Sequence, residues 1–513
     1  MNFHKRVISV LLVIALAGVA LLVSQEPLKL NKDGDEVTAW YDRSDIIYFW
    51  YSDDSMTEYV TKAAVDFGEA NDVHVFPMLI TVDNYIEAVN EASIANEQMP
   101  DVYILKHTDL EMAYLAGLAS TVEDEAAVLT ADNFSEPAIN SVTYKNQLVA
   151  YPLSYNTSVL VYNEDLLKIW AEQKALAILT GDGDKYADND YFSEIDREIG
   201  DMLAAEYGDA FYEQEVISPD EYVVPEKDDS IYEVDSELVP YNELSDDEKV
   251  TVLASKTDDV FETAIPVTLN DLLTIADTFD APSGVDGVMK WDVSDIFYNY
   301  WFAGDAMTFG GPAGDDKNDI VLKTTESVTY LKYYHHLRQF FALETAEADY
   351  ANCIQEFMDG KMVFTIASVD VINTLEEAGK KGELEFAYGY SILPAIDQVT
   401  LARPMSTTNV VVINGYTDNK ELANAFAAYL VGGYSSELYA RTGKPSCNIN
   451  SNGLYAGLDV FDASYANSEP LPKIIELENV WMELEAMYSR IWNDEDVDTE
   501  LQGLEDTVKL FFN

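Results

Sequence analysis

Blocks of apolar and polar positions alternate along the first third of the chain. Residues 45–54, DIIYFWYSDD, form a near-continuous apolar run that ends in Ser52, Asp53 and Asp54, the pattern of a buried strand. From residue 56 to 70 the apolar positions fall at helical spacing. Residues 73–80 (VHVFPMLI) then read as a strand, 85–98 as a helix, 100–105 (PDVYIL) as a strand and 111–120 as a short helix. Strand and helix in strict alternation predict a parallel sheet with helical crossovers. Ligands of such sheets collect beyond the carboxyl ends of the strands, which points to Ser52–Asp54 and Lys106–Asp109.

Further on, QLVAYPLSYNTSVLVYNEDLL (residues 147–167) carries an apolar strand into Tyr-Pro-Leu, through a short polar break, and out into another strand. A chain that leaves one sheet there enters a second lobe. The length of 513 residues agrees, because it exceeds what one hydrophobic core usually organises. Residues 170–263 turn acidic and irregular and read as a solvated insertion. Its aromatics, including Tyr186, Tyr191, Phe192, Tyr207 and Phe211, predict that much of it packs. Asp182, Asp184, Asp188 and Asp190 have the spacing of a calcium loop. The sixth position is Ala187 and the twelfth Ser193, however, so that match fails.

Charge removes whole function classes. With 30 basic against 93 acidic residues the net charge is -63, which repels nucleic acid and anionic lipid. The carboxylates read as a solvated, self-repelling surface. The N-terminus, MNFHKR followed by the uncharged apolar residues 7–23, has the form of a secretion signal. Its length is close to the lower bound of about 17 residues for spanning a bilayer, so cleavage and retention as an anchor are both open. Two cysteines, Cys353 and Cys447, and five histidines without paired spacing offer no zinc or catalytic-cysteine motif. There is no G-x-S-x-G, Walker A or G-x-G-x-x-G signature, so no catalytic residue, metal or cofactor is assigned.

Together with PDVYI at residues 100–104 and GKPS at 443–446, the 147–167 segment resembles the extracellular solute-binding proteins of ABC transporters, most closely the maltodextrin and oligosaccharide binders. The resemblance implies an α/β, two-lobe periplasmic-binding-protein-like fold of type II. Each lobe is then a mostly parallel sheet flanked by helices, with the acidic insertion in the second lobe. The expected division is a signal peptide or anchor (1–25), a linker (26–44), lobe 1 (45–154 plus 409–445) and lobe 2 (158–405 plus 446–513), with a hinge at 155–157, 406–408 and 445–447. The lipobox cysteine usual in Gram-positive members is absent from Leu22-Val23-Ser24-Gln25, so a lipid anchor is not expected.

Matched to the family position by position, Trp50 and Asp54 stand where the maltodextrin binders place a tryptophan and a sugar-binding aspartate, and His107 where they have a histidine. Leu105 replaces a stacking tryptophan, and Thr108-Asp109 replaces an Asp-Arg pair. Residues 291–310 resemble the segment that lines the sugar site and end in a family-like A-G-D motif followed by Phe309 (A-G-D-A-M-T-F). The loop 367–370 has Asp370 where the binders carry tryptophan, and Trp481 keeps a position at which the family stacks a sugar ring. A carbohydrate offers flat C–H faces edged by hydroxyls, so its site needs aromatic platforms and fixed polar groups. The expected platforms are Trp481, Trp291, Tyr298 and Tyr155, with Trp50 beside them. The expected polar groups are Asp54, His107, Asn156, Asp295 and Asp370. The implied function is a monomeric, non-enzymatic receptor that closes on a sugar and hands it to an ABC permease, at the extracellular face of the membrane. A secreted carbohydrate-active enzyme and an anchored sugar sensor or adhesion module are the alternatives.

Overall fold

The computed structural model describes residues 46–95, 98–187, 189–207, 231–234, 237–341, 343–345, 348–397, 400–453 and 455–512. The expected signal or anchor and the linker lie outside them, as do Asp45, Asp188, Phe211 and the Tyr207 side chain. The chain begins β1 (Ile46–Tyr51), α1 (Thr57–Asn71), β2 (His74–Leu79), α2 (Tyr85–Ala95), β3 (Val102–Lys106) and α3 (Leu110–Leu115). Both β2 and β3 pair in parallel with β1, as the alternation predicts. Asp53 caps the turn after β1 by accepting a hydrogen bond from the Ser55 N–H at 2.9 Å. Helix α3 ends earlier than its apolar spacing suggests, because Gly117 takes a left-handed conformation at φ 73° and turns the chain away.

After α4 (Glu136–Val142), β4 (Tyr151–Asn156) lies in the first sheet and β5 (Ser158–Asn163) in a second, so the chain changes sheet at Thr157. Among its described residues, the stretch that reads as irregular is largely helical: α5 (Glu164–Thr180), α6 (Ser193–Tyr207) and α7 (Asp246–Phe261), with a hairpin at Ile231–Val234 and Glu237–Pro240. Tyr186 and Phe192 are buried in the core of the second lobe, so this segment packs as its aromatics predict. The helices escape a periodicity reading because carboxylates crowd their solvent faces. Their local signal is a capping box at Ser245 and Glu248.

The second lobe continues through α8 (Leu269–Thr278), β6 (Gly287–Met289), α9 (Thr325–Leu337), α10 (Tyr350–Met358), β7 (Met362–Ser368), α11 (Val371–Lys381) and β8 (Tyr388–Ser391). Its sheet order is β6-β7-β5-β8, with β6 parallel to β7 and β5 antiparallel to β7 and β8. Then β9 (Met405–Ile413) returns to the first sheet, antiparallel to β3 and β4. There follow α12 (Lys420–Val431), α13 (Leu458–Ala466), β10 (Glu469–Pro470), which adds to the edge of β9, and finally α14 (Val480–Trp492) and α15 (Val497–Phe511). The first sheet thus runs β10-β9-β3-β1-β2, with β4 also on β9. This is the two-sheet α/β architecture expected, except that two of the second sheet's three pairings are antiparallel, since β5 runs against both of its neighbours.

Where the chain passes between the sheets, its strands lie side by side. Asn156 pairs with Thr407, the Thr157 hydroxyl donates to the Met405 carbonyl at 3.1 Å, and the Tyr155 N–H donates to the Pro445 carbonyl at 3.4 Å. Cys353 and Cys447 are both buried and unpaired. Among the described residues, no helix is long and apolar enough to cross a membrane.

Candidate ligand-binding cleft

The carboxyl ends of β1, β2 and β3 open on a cavity of about 900 Å³. Tyr51 and Asp53 line it after β1, Asp83, Tyr85, Glu87 and Asn90 after β2, and Lys106 and Asp109 after β3, over a floor that includes Leu153, Ser154 and Asn409. A second cavity of about 330 Å³ shares Lys106, Asp109, Met112 and Glu478 with the first and extends to Thr407, Leu471 and Trp481. The two form one cleft. Three parallel strands ending side by side make its wall, since each must turn away there and leaves a polar loop behind.

Asp53 is the carboxylate after β1 that faces this cleft. Burial would raise its pKa, but hydrogen bonds from Ser55 and Lys444 outweigh that and hold it below the ordinary carboxylate range, with Lys444 Nζ 3.0 Å away. Asp54 instead accepts from the Thr57 hydroxyl at 3.0 Å and lines a separate groove with Glu58, Lys62 and Arg441. His107 is wholly buried within the wall of the smaller cavity. Burial, with the Lys473 ammonium nearby, pushes its imidazole down to about 3. The neutral ring then accepts from the Thr408 N–H through Nδ1 at 3.1 Å, leaving Nε2–H to donate to the Leu471 carbonyl at 2.8 Å. His107 therefore ties the end of β3 to β9 and to the chain that leads into α14.

Trp481, near the start of α14, lines the smaller cavity and is partly buried against the second lobe's core. Phe309, at 5.7 Å between centroids, and Tyr300, at 6.5 Å, hold its ring from behind. Tyr298 and Asp370 come together elsewhere, on the second lobe, beside Asn156 at the end of β4. Tyr298 stacks on Tyr350 at 4.8 Å, Tyr350 donates to Asp370 at 3.1 Å, Ser368 joins both, and the Val369 N–H donates to Asn156 Oδ1 at 3.3 Å. Asp295 begins the turn that carries Tyr298, and burial raises its carboxyl. None of these four lines the cleft's two cavities.

Residues 247–444 match the family of bacterial extracellular solute-binding proteins. The resemblance read from the sequence holds. Curated protein sequences give no match. Among solved structures, the chain is similar to an extracellular solute-binding protein of Staphylococcus aureus in complex with maltose, at 16% identity over 92% of this chain and 98% of that one, with a TM-score of 0.65. It is likewise similar to a cyclo/maltodextrin-binding protein complexed with maltotetraose, at 14% identity over 92% and 98%, TM-score 0.63. The maltose-maltodextrin binding protein of Alicyclobacillus acidocaldarius follows at 11% identity over 90% and 100%, TM-score 0.56. At such identities these likenesses establish the two-lobe fold.

Within this two-lobe fold, two expected platforms turn out to be interior. Trp291 is 0% exposed, wedged at right angles between Phe341 and Trp492, with its N–H given to Asn299 Oδ1 at 2.9 Å. Trp50 sits in the first lobe's core with Tyr103 and Leu105, on the opposite face of β1 from Phe49 and Tyr51. Tyr155 is stacked on Tyr465 at 4.1 Å and donates to Asp462 at 2.6 Å, which commits it to the crossover. Sequence reasoning passed over Asp83, Tyr85, Glu87 and Glu478. The loop after β2 was open to the same strand-end argument as its neighbours, whereas Glu478 had no signal, since its place depends on how α14 docks.

Proposed function

We propose that this protein is an extracellular solute-binding receptor that captures a sugar or oligosaccharide between its two lobes and delivers it to an ABC transporter permease. The observation that carries the reading is the cleft itself. Polar strand ends of the first lobe and a ring backed by the second lobe's core, Trp481, border two adjoining cavities that share Lys106, Asp109, Met112 and Glu478. The complexes of the Staphylococcus aureus protein with maltose and of the cyclo/maltodextrin-binding protein with maltotetraose support a carbohydrate as the solute. The apposed passages at Asn156–Thr157, Met405–Thr407 and Pro445 serve as the hinge, and closure forms the surface that a permease reads. Binding proceeds without turnover. The N-terminal apolar segment carries the chain across the membrane and, if uncleaved, holds it at the outer face.

A thermal-shift screen against a glycan panel tests this, because a ligand that binds only the folded state raises its melting temperature by mass action. At least one oligosaccharide should raise it, and the Trp481→Ala variant should lose that shift. Stabilisation by no glycan, or glycan hydrolysis that a single Asp or Glu substitution abolishes, sinks the reading.

A further inference from the structure

We propose that Glu111 and Lys473 are positioning residues of the cleft: with Asp315 and Lys317 they form a charged clasp that holds the Trp481 wall of the second lobe against the first. The four line neither cavity. The inference rests on the cleft and not on the identity of its solute.

Glu111, on α3 of the first lobe, is 3% exposed, and both its carboxylate oxygens are engaged. Oε1 accepts from the Tyr144 hydroxyl at 3.0 Å and stands 3.7 Å from Lys317 Nζ of the second lobe. Oε2 accepts from the Ile475 N–H at 2.7 Å. Lys317 in turn pairs with Glu476 at 2.6 Å. Lys473 is 1% exposed. Its ammonium donates to the Asn140 carbonyl in the last turn of α4 at 3.0 Å and to the Ala313 carbonyl of the second lobe. Beside them the 143–148 hairpin turns through Lys145 and Asn146, both at positive φ, and presents the Lys145 N–H to Asp315 Oδ2 at 2.5 Å. Three elements of the first lobe are thus tied to residues 313–317 and 473–476.

Those two stretches act as one piece. The Lys473 N–H donates to the Gly314 carbonyl at 2.8 Å, and a Cβ on Gly314, which lies at φ 63°, would sit 2.9 Å from Pro472 Cα. Met112, next to Glu111, and Pro472, Ile474 and Ile475 line the smaller cavity, and α14 with Trp481 begins just beyond. Buried ionic contacts add little net stability, and their best-attested use is to fix one arrangement among several. The arrangement fixed here is the one in which Lys106 and Asp109 of the first lobe and Trp481 of the second border the same cavity. A wall assembled in advance lowers what binding costs.

Electron–electron distance measurements on the ligand-free full protein test this, with spin labels at Lys62→Cys on α1 and Lys380→Cys on α11, both exposed. Cys353 and Cys447 are buried and do not compete for label. Lys473→Met keeps the apolar stem and removes the ammonium. It should broaden the distance distribution about twofold without lowering the melting temperature. Asp315→Ala combined with Lys317→Met should broaden it likewise, and decides alone should Lys473→Met fail to fold. Lys317→Arg, which keeps the charge, should retain the wild-type distribution, as should Lys168→Met, which removes an exposed ammonium outside the clasp. Wild-type distances in the clasp variants overturn the proposal, and a lower melting temperature with those distances makes the contacts merely structural. Equal broadening in Lys168→Met traces the effect to net charge and overturns it too. A glycan panel that binds nowhere sinks the sugar reading and leaves the clasp standing.

Discussion

His107 shows how one side chain can match a family's binding position and yet be spent on architecture. Its folded imidazole titrates near 3, whereas an unfolded histidine titrates near 6.5. Between those values the unfolded chain binds a proton that the folded one excludes, so stability is full above about 6.5 and drains away as pH falls toward 3. Relative to His107→Asn, which cannot titrate, the wild type should lose about 2 kcal/mol between about pH 7.5 and about pH 5. Urea unfolding at the two pH values measures this, and parallel losses in both proteins would mean that the imidazole is not held neutral. Trp481 makes the opposite case, an aromatic whose backing by Phe309 and Tyr300 leaves part of the ring to the cavity. Trp481→Ala should cost about 2 kcal/mol of affinity for the cognate oligosaccharide, roughly thirtyfold by titration calorimetry. A change under about threefold would place the sugar elsewhere.

At the scale of elements, the A-G-D pattern at residues 303–305 is legible in the sequence while its reason is not. A Cβ on Gly304 would sit 2.2 Å from the Arg403 carbonyl oxygen, so only glycine lets this turn pack against the strand that returns to the first lobe. Gly304→Ala should therefore lower unfolding stability by about 1–3 kcal/mol, read as a drop in the denaturant midpoint, and an unchanged midpoint would refute the close approach. What sequence conveys well is local: the apolar run of β1, the helical spacing of α1 and the break at Asn156–Thr157 are set by neighbours a few positions away. What it conveys poorly is facing. Asp53 and Asp54 are adjacent, and the cap at Ser55 decides which one meets the cleft. Trp291 falls in the segment matched to a sugar site. Its side chain is claimed by Phe341 and Trp492, which only the folded chain brings near. The helices of the acidic insertion were hidden because carboxylates dominate their composition, and pattern reading weighs composition before caps.

For the whole molecule the governing quantity is the excess of 93 acidic over 30 basic residues. Even if every Lys and Arg were paired, most carboxylates would face other carboxylates. The ion pairs present are largely exposed and several are one helical turn apart, such as Lys62–Asp66, Lys380–Glu376 and Lys509–Glu505. Exposed pairs of that kind contribute about 0–1 kcal/mol each, and salt screens them. Screening also weakens the mutual repulsion of the remaining carboxylates, which opposes the compact state. Repulsion involves many more groups than attraction, so salt should stabilise this protein. The ligand-free melting temperature should climb steadily between about 20 mM and about 500 mM sodium chloride, over which the screening length falls from about 20 Å to about 4 Å, and most steeply at the low end of that range. A melting temperature that falls over that range would mean that the few pairs outweigh the surplus. The carboxylates of the cleft would then be held apart by local geometry rather than set within a uniformly repulsive field.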